Sequence, residues 1–463
     1  MKTAQRKKGI DMTRGPLLRG LIAFILPMIG SSIFQQLYNT VDFLFVGNFL
    51  DKTAAAAVGA SATLISITIG LFSGISVGTS VTASHAIGAR DVPRAEKALH
   101  TSVTFGVVSG AILAALGILL APQILGLLRT PDTVMDQAVR YIRIYLLSVP
   151  MVVFYNMVAG GMRAYGDSRS PFLVLVCCGL LNVVLDALFI LWIPMGVAGV
   201  AIATAITQTL SAVLVAVLAS RKSAPLRLSA KKLGVDRAVL ADVLRIGLPT
   251  GVQTIIVTFS NVMVQYYINE YGDTAVAAFA TYYKVENFIY LPIVAFGQAA
   301  TTFAGQNTGA GNWRRLRKGI VLTAVIGAAV VGCLVVLFVS FPRTIVGWFM
   351  KNPDVVSTAL RIALVSFPFY WVYPILEVTG AAVRGMGRAL ASMAVIILFQ
   401  CVLRVALLAV FSSTVHTIEA LASVYPITWA ATAVTFVAVF AVMITARIRR
   451  SEAGNSEFEG GSV

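Results

Sequence analysis

Charged residues are scarce in this sequence. Asp, Glu, Lys and Arg make up 12% of 463 residues, whereas hydrophobic residues make up 58% and the mean hydropathy is +0.85. A soluble protein of this length needs far more charge to cover its surface. The composition therefore excludes a soluble globular protein. Many apolar runs exceed the roughly 20 residues that cross a bilayer as a helix, which predicts a polytopic membrane protein.

Cysteines and enzyme signatures are also scarce. The four cysteines lie inside apolar runs and lack the spacing of metal ligands, so we interpret them as packing residues. The chain has no Walker A sequence, no H-E-x-x-H and no G-x-S-x-G. We predict a protein that is not an enzyme and has no cofactor, so that any transport is passive or driven by an ion gradient.

The apolar runs predict an all-α polytopic membrane protein, because in lipid the backbone groups must find partners within each helix. We predict twelve spans, with these approximate bounds: 17–46, 54–80, 101–127, 139–163, 171–193, 197–220, 243–269, 274–302, 319–341, 358–383, 389–411 and 418–446.

The basic residues are distributed unevenly. The net charge is +16, but 27 of the 36 Lys and Arg residues lie at the two termini and in alternate connections between spans. This distribution argues against nucleic-acid binding. By the positive-inside rule, it predicts an inner-membrane protein with both termini in the cytoplasm.

The two halves of the chain repeat one plan. The stretch HAIGARDVPRAEKA (85–98) matches QNTGAGNWRRLRKG (306–319), and MRAYGD (162–167) matches VRGMGR (383–388), both at an offset of 221 residues. We predict two pseudo-symmetric six-helix lobes, 1–220 and 243–446, with a cytoplasmic linker at 221–242 and a cytoplasmic tail at 447–463. Such repeats commonly place a binding site near the membrane midplane.

Two acids stand inside predicted spans of the first half. Gln35, Tyr38 and Asp42 are spaced i, i+3 and i+7, and Asn182 and Asp186 are spaced i and i+4, so each set shares one helix face. An ionisable residue within a span normally faces a partner or a cavity. Positions 221 or 222 residues further on carry no acid, which favours a function localised in the first lobe. The alternative is an acid that only locks helix packing.

Five further residues are weaker candidates. Asn156 and Thr204 would complete a polar cavity, although such residues often only join helices. Glu286 would line a cavity of the second half. Glu377 is as consistent with packing as with function, and Arg404 is predicted to pair with Glu377 or with a backbone carbonyl.

Several motifs together resemble the multidrug and toxic compound extrusion (MATE) family. They are Pro27 with FQQLYNTVDFLFVG (34–47), GARD (88–91), MRAYGD (162–167) and NVVLD (182–186). The resemblance covers nearly all twelve spans. The acid of span 1 and the Asn/Asp pair of span 5 resemble the DinF-like branch. The NorM-like branch has a further acid in span 7 and an Asp in span 10, whereas here PTGVQTIIVTF (249–259) has no acid and Pro374 occupies the span 10 position.

The resemblance implies a multidrug efflux antiporter that works by alternating access. We expect it to act as a monomer in the bilayer and to export amphipathic or cationic compounds against entering protons. The residues expected to couple the ion are Asp42, Asn182, Asp186 and Tyr38. The residues expected to bind substrate are Gln35, Tyr38, Asp42, Asn156, Asp186, Thr204 and Glu286.

Two alternatives to a proton-coupled drug exporter remain open. Asp42, Asn182, Asp186 and Thr204 also offer oxygen ligands of the kind that suits Na⁺. A flippase for lipid-linked precursors has a distantly similar fold, but it would line its cavity with several cations, and here the clearest candidates are acids.

Overall fold

The computed structural model describes residues 9–222 and 226–459. These residues are predominantly helical and contain no strand. The α-helices are α1 (Leu17–Phe49), α2 (Lys52–Gly88), α3 (Val92–Leu127), α4 (Asp132–Ala164), α5 (Arg169–Ala187), α6 (Val197–Ser220), α7 (Arg237–Asn269), α8 (Asp273–Gly309), α9 (Trp313–Ser340), α10 (Pro342–Gly347), α11 (Pro353–Ser366), α12 (Val372–Gly385), α13 (Ala389–Ile396), α14 (Arg404–Thr414) and α15 (Ile418–Glu459). Two π-helical segments, Leu188–Trp192 and Ile397–Leu403, extend α5 and join α13 to α14, and short 3₁₀ turns lie at Ala230–Lys232 and Phe367–Phe369.

The described residues contain eleven helices that are long and apolar enough to cross a membrane. A twelfth span is formed if α11 and α12, which meet at an angle of 53°, are counted as one broken span. Pro368 lies in the 3₁₀ turn at the break, where its missing N–H and its ring prevent a continuous α-helix. The predicted all-α polytopic fold is confirmed.

The internal repeat is visible in the backbone. Helices α2 and α8 each have 37 residues, and both their first and their last residues are 221 positions apart. The turns that follow repeat as well, since Arg90 and Gly311 both have a positive φ, as do Gly166 and Gly387. Each pair is again 221 positions apart, so the matched sequence motifs form turns of the same hand.

The described chain divides into two compact units. The first contains residues 9–11 and 26–251 apart from 223–225, and the second contains 12–25 and 252–459. Helix α1 therefore contributes to both units, and so does α7. The core of the first unit is built from apolar side chains of α2, α3, α4 and α6, and that of the second from α8, α9, α11, α12 and α15.

Small residues bring the first half of α7 against α2 in the first unit. A Cβ atom at Gly74 would lie 2.2 Å from the backbone nitrogen of Gly251, and one at Gly78 would lie 2.2 Å from the carbonyl oxygen of Val243. Glycines four residues apart allow two helix backbones to approach closely in a membrane. The predicted linker residues Lys232 and Asp236 form ion pairs with Glu96 and Lys97 of α3, also within this unit.

Candidate functional site

Two glycine contacts hold α1 against α5 in the first unit. The ring of Phe34 on α1 lies over Gly179 on α5, where a Cβ atom would be 2.7 Å from the ring. In the reverse sense, the ring of Phe172 on α5 lies over Gly30 on α1, at 3.0 Å. Each glycine thus provides space for an aromatic ring of the other helix, and this packing brings the polar stripe of α1 beside that of α5.

Asn182 links the two acids at this contact. With its amide nitrogen directed toward them, Asn182 Nδ2 donates to Asp42 Oδ1 at 2.9 Å and to Asp186 Oδ2 at 3.3 Å. This orientation is assigned from the hydrogen bonds, because the opposite one would direct an acceptor oxygen at two carboxyl groups. The carboxyl groups of Asp42 and Asp186 are also close enough to interact electrostatically. Three of the predicted residues therefore form one network.

The network is closed off from solvent on the α5 side. Asn182 and Asp186 have no exposed surface, and Asp42 is half-buried. The other end of the Asn182 amide faces Thr207 Oγ1 on α6 at 3.5 Å. The π-helical segment Leu188–Trp192 begins two residues after Asp186. Such segments interrupt α-helices mostly at functional sites.

Helix α4 supplies the aromatic wall of the site. Tyr141 and Tyr145 are one turn apart, with ring centroids separated by 6.3 Å, and both lie within electrostatic range of Asp42. Tyr141 is also within range of Asp186. The sequence interpretation missed Tyr141, Tyr145 and Thr207. Spacing within α4 or α6 gives no indication of which neighbouring helix they face.

The other first-lobe candidates lie around this network in different ways. Gln35 lines a cavity of about 40 Å³ together with Tyr155 and Thr207. Thr204 is buried, and its carbonyl oxygen accepts a hydrogen bond from Thr207 at 3.0 Å. The side chain of Tyr38 lies outside the described part of the structure, so its role stays a prediction.

Asn156 is held by helix packing. Its Nδ2 donates to the carbonyl of Val152 in its own helix at 2.9 Å, and its carbonyl oxygen accepts from Ser76 Oγ of α2 at 2.6 Å. These contacts join α4 to α2. A role for Asn156 in substrate binding stays a prediction.

Glu286 lies in the second unit and has partners there. Tyr370 donates to Glu286 Oε1 at 2.9 Å, and Tyr282 donates to the same oxygen at 3.5 Å. Glu286 lines a cavity of about 540 Å³ whose wall also includes Arg404. Its expected position in a cavity of the second half is therefore observed, while its role in binding stays a prediction.

The expected pairing of Arg404 with Glu377 is wrong. Glu377 instead accepts from Arg384 Nη2 at 2.9 Å, seven residues along the same helix. Arg404 donates weakly to Thr428 Oγ1 at 3.5 Å, and its guanidinium carbon lies 5.1 Å from the centroid of the Tyr425 ring. The i, i+7 spacing on one helix made Arg384 the nearer partner for Glu377.

Comparisons with known proteins place this chain in one family. A family model described as MatE matches residues 27–188 and again 249–410. A probable multidrug resistance protein of Bacillus subtilis, YoeA, is 28% identical over 80% of this chain and 82% of its own length. A second from the same organism, YpnP, is 27% identical over 88% and 91%. The multidrug export protein MepA of Staphylococcus aureus is 22% identical over 76% and 78%.

Solved structures share the fold. A MOP superfamily transporter from Pyrococcus furiosus superposes with a TM-score of 0.89 at 22% identity, over 96% of this chain and 99% of that one. An outward-facing multidrug resistance MATE family transporter superposes with a TM-score of 0.86 at 24% identity, over 96% and 99%. The two family-model matches begin 222 residues apart, in agreement with the internal repeat. The chain belongs to the MATE family, and it is a membrane transporter rather than an enzyme.

Proposed function

We propose that the protein exports amphipathic, positively charged compounds in exchange for protons, and that the Asp42–Asp186 pair is the site at which the two exchange. The observation that carries this proposal is the bridging of the two carboxyl groups by Asn182 at a site where Asn182 and Asp186 have no exposed surface. The names of the relatives, which are multidrug resistance and multidrug export proteins, support the class of substrate.

The geometry of the pair supports proton binding. Two carboxylates held together by Asn182 in a buried site would repel each other, and a proton on one of them relieves that repulsion. Two acids this close titrate as a unit, so the pair as a whole gains or loses the proton. The proposed pair therefore holds one proton and one negative charge when no cationic compound is bound.

A cation and a proton would compete for this pair. A cationic compound is attracted to the doubly ionised pair, and its binding favours loss of the shared proton. Conversely, a proton that enters lowers the attraction of the site for the cation. Because each ligand shifts the population of the state that the other prefers, exchange follows without a separate coupling device.

Helix α1 gives a physical route from protonation to movement. It carries Asp42 and also Pro27, which removes one backbone hydrogen bond from the helix. The Pro27 carbonyl oxygen accepts a hydrogen bond from Ser31 Oγ at 2.9 Å. We propose that neutralising Asp42 removes the need for water beside α1 and lets the helix bend near Pro27, which releases the compound outward.

Sodium coupling is the alternative. A sodium ion needs about five or six oxygen ligands, so the amide oxygen of Asn182 would have to face the acids. The assigned orientation, with the amide nitrogen facing them, is the one that suits the pair without a metal ion. Sodium binding would require the amide to turn over and Thr204 to contribute an oxygen.

The basic residues support a topology for this exchange. We propose that the protein lies in the inner membrane with both termini in the cytoplasm, because the alternate connections carry most of the Lys and Arg residues. Protons would then enter from the outside, and compounds would leave in the opposite direction. The proposed form is a monomer.

Transport in liposomes tests the coupling ion. Purified protein is reconstituted, and the movement of tetraphenylphosphonium is followed under an imposed pH gradient in sodium-free buffer, or under a sodium gradient at constant pH. We expect movement under the pH gradient only. Movement under the sodium gradient only would overturn proton coupling and make the same residues a sodium site.

A further inference from the structure

The cavity of the second unit carries two opposite charges that do not neutralise each other directly. It has a volume of about 540 Å³ and includes Glu286 of α8 and Arg404 of α14 on its wall. The structure describes both side chains, and no salt bridge joins them. They are nevertheless close enough to interact electrostatically. A volume of several hundred cubic ångströms is typical of sites for small organic molecules.

The positive side of the cavity has donors without acceptors. Arg404 and Gln400 are each 4% exposed. Within the described residues, Arg404 Nε and Gln400 Nε2 have no hydrogen-bond partner. The ring face of Tyr425 stabilises the guanidinium of Arg404 but accepts no hydrogen bond from the N–H groups of that guanidinium. A buried donor that lacks an acceptor is costly, so a ligand that supplies acceptor oxygens would be favoured here.

The backbone beside these donors departs from a regular helix. Gln400 lies in the π-helical segment Ile397–Leu403, and Arg404 follows it directly. Ser260 on α7 donates to the carbonyl oxygen of Gln400 at 2.9 Å, which fixes this segment. The two donors are thus held on a rigid stretch of chain, as a preorganised binding site requires.

The negative side of the cavity is a carboxyl group held by tyrosines. Tyr370 and Tyr282 both donate to Glu286 Oε1, and Ser366 in turn donates to the Tyr282 hydroxyl at 3.0 Å. This chain of hydrogen bonds fixes the position of the carboxyl group. When ionised, this carboxyl group attracts the cationic end of a ligand.

Aromatic residues form half of the remaining wall. Tyr370 and Tyr373 are stacked with ring centroids 5.7 Å apart and 14° between their planes, and Trp429 meets Tyr370 edge-on at 4.7 Å. The hydroxyl groups of Tyr283 and Tyr425 are hydrogen-bonded to each other at 2.7 Å. Rings arranged in this way bind flat aromatic molecules well.

We propose that this cavity is a second binding site, selective for aromatic zwitterions. The carboxylate of the ligand would bind at Arg404 and Gln400, its cationic end at Glu286, and its ring system against the tyrosines and Trp429. The proposal concerns the second unit alone. It does not depend on the role proposed for Asp42.

A matched pair of dyes tests this proposal. Rhodamine B carries a carboxylate and a delocalised cation, and its ethyl ester lacks only the carboxylate charge. Binding of each dye to the purified full-length protein is measured by fluorescence polarisation, in the wild type and in Asp42→Asn, which removes the charge proposed to attract cations in the first unit. We expect Asp42→Asn to bind rhodamine B about tenfold more tightly than the ester, the size expected of one charge-assisted hydrogen bond. In the wild type the cationic ester can also bind at Asp42, so the preference should be smaller.

Variants made in the Asp42→Asn protein assign that preference to the cavity. Arg404→Gln should lose about tenfold in affinity for rhodamine B and leave the affinity for the ester unchanged. Glu286→Gln should weaken both dyes. The control is Arg361→Gln, an exposed arginine of the same unit paired with Glu419, which should change neither. Retained binding of the ester by Arg404→Gln also verifies that this variant is folded.

Several results would overturn the proposal. Equal affinity of Asp42→Asn for the two dyes would exclude selectivity for zwitterions. If Arg404→Gln weakened the binding of both dyes, or of neither, a carboxylate contact at Arg404 would be excluded. Unchanged binding of both dyes by Glu286→Gln would exclude the cationic contact. Loss of rhodamine B binding in Asp42→Asn would place the dye in the first unit, and the proposed exchange there would still stand.

Discussion

The ring of Phe34 lies over Gly179 so closely that a Cβ atom at position 179 would be 2.7 Å from the ring. This contact sets the distance between α1 and α5. The hydrogen bond from Asn182 to Asp42, at 2.9 Å, depends on that distance. The candidate site therefore rests on a packing contact between two residues that have no polar side chain of their own.

Replacing Gly179 should damage transport through this contact. In Gly179→Ala the new methyl group displaces Phe34, and overpacking of this kind typically costs about 1–3 kcal/mol. We expect roughly a tenfold loss of tetraphenylphosphonium transport in liposomes. The double variant Gly179→Ala/Phe34→Leu should recover most of it, since the smaller side chain leaves space for the methyl group.

Gly59→Ala is the matched control for this change, because nothing lies within 4 Å of the Cβ atom that it adds. It should transport like the wild type. Full transport by Gly179→Ala would contradict the role given to the Phe34 contact.

Removing the charge of Asp42 should uncouple the transporter. Asn has nearly the same shape as a protonated Asp, so Asp42→Asn mimics a pair that cannot release its proton. We expect drug transport driven by a pH gradient to fall by roughly 100-fold, at the upper end of measured coupling energies. Resistance of cells that express the variant, compared with equal amounts of wild-type protein, provides a second readout.

Asp51→Asn makes the same chemical change nine residues away. Asp51 caps α2 by accepting from the Ala54 amide at 2.7 Å, and Asn serves equally well at this position. This control should keep full resistance. If cells expressing Asp42→Asn were as resistant as those with the wild type, Asp42 would not be the coupling residue.

The contact between Lys222 and Asp167 should show a defined pH dependence. Lys222 donates to Asp167 Oδ2 at 2.7 Å, and Ser170 donates to both carboxylate oxygens. Burial acts to raise the pKa of Asp167, but the hydrogen bonds from Lys222 and Ser170 outweigh it and hold the pKa below its usual value. The stabilisation is therefore complete above the unfolded pKa of about 4 and is lost as the pH falls through the lower folded pKa.

Lys222→Met tests this sign. Between pH 5 and 7, we expect the free energy of unfolding of the variant to be lower than that of the wild type by on the order of 1 kcal/mol. Below about pH 4 this difference should shrink. Thermal unfolding in detergent across this pH range measures both. A difference that grows as the pH falls would contradict the account of Asp167.

The orientation in the membrane can be tested at the C-terminus. In a variant without the four native cysteines, Asn455→Cys should react with a membrane-impermeant maleimide only after the cells are permeabilised. A cysteine at Asp132, in the connection between spans 3 and 4, should react in intact cells. The reverse pattern would place the termini outside and contradict the orientation inferred from the basic residues.

Much of the fold followed from the sequence. Apolar runs and the 221-residue repeat predict the spans, and the repeat recurs in the positive φ angles of Gly166 and Gly387. Helical spacing also put Asn182 and Asp186 on one face, and the absence of matching acids in the second half pointed to the first. These inferences succeed because they rest on local periodicity.

Contacts between helices were beyond the sequence. Thr207 reaches Asn182 from α6, and Arg404 lies near Glu286 although the two are 118 positions apart. Of the two partners predicted for Arg404, Glu377 or a backbone carbonyl, Glu377 is wrong because Arg384 is the nearer partner of that acid. Arg404 instead contacts Thr428 and the ring of Tyr425, and its Nε lacks an acceptor.

Proton release on binding tests the central claim most directly. Tetraphenylphosphonium, a cation with no proton of its own, is added to purified protein at pH 7 in weakly buffered, sodium-free detergent solution that contains a pH indicator. We predict release of about one proton per bound cation, because the cation displaces the proton that Asp42 and Asp186 share. Asp42→Asn and Asp186→Asn should release none, and Glu286→Gln should release as much as the wild type. Binding without proton release by the wild type, or undiminished release by Asp42→Asn, would contradict the account.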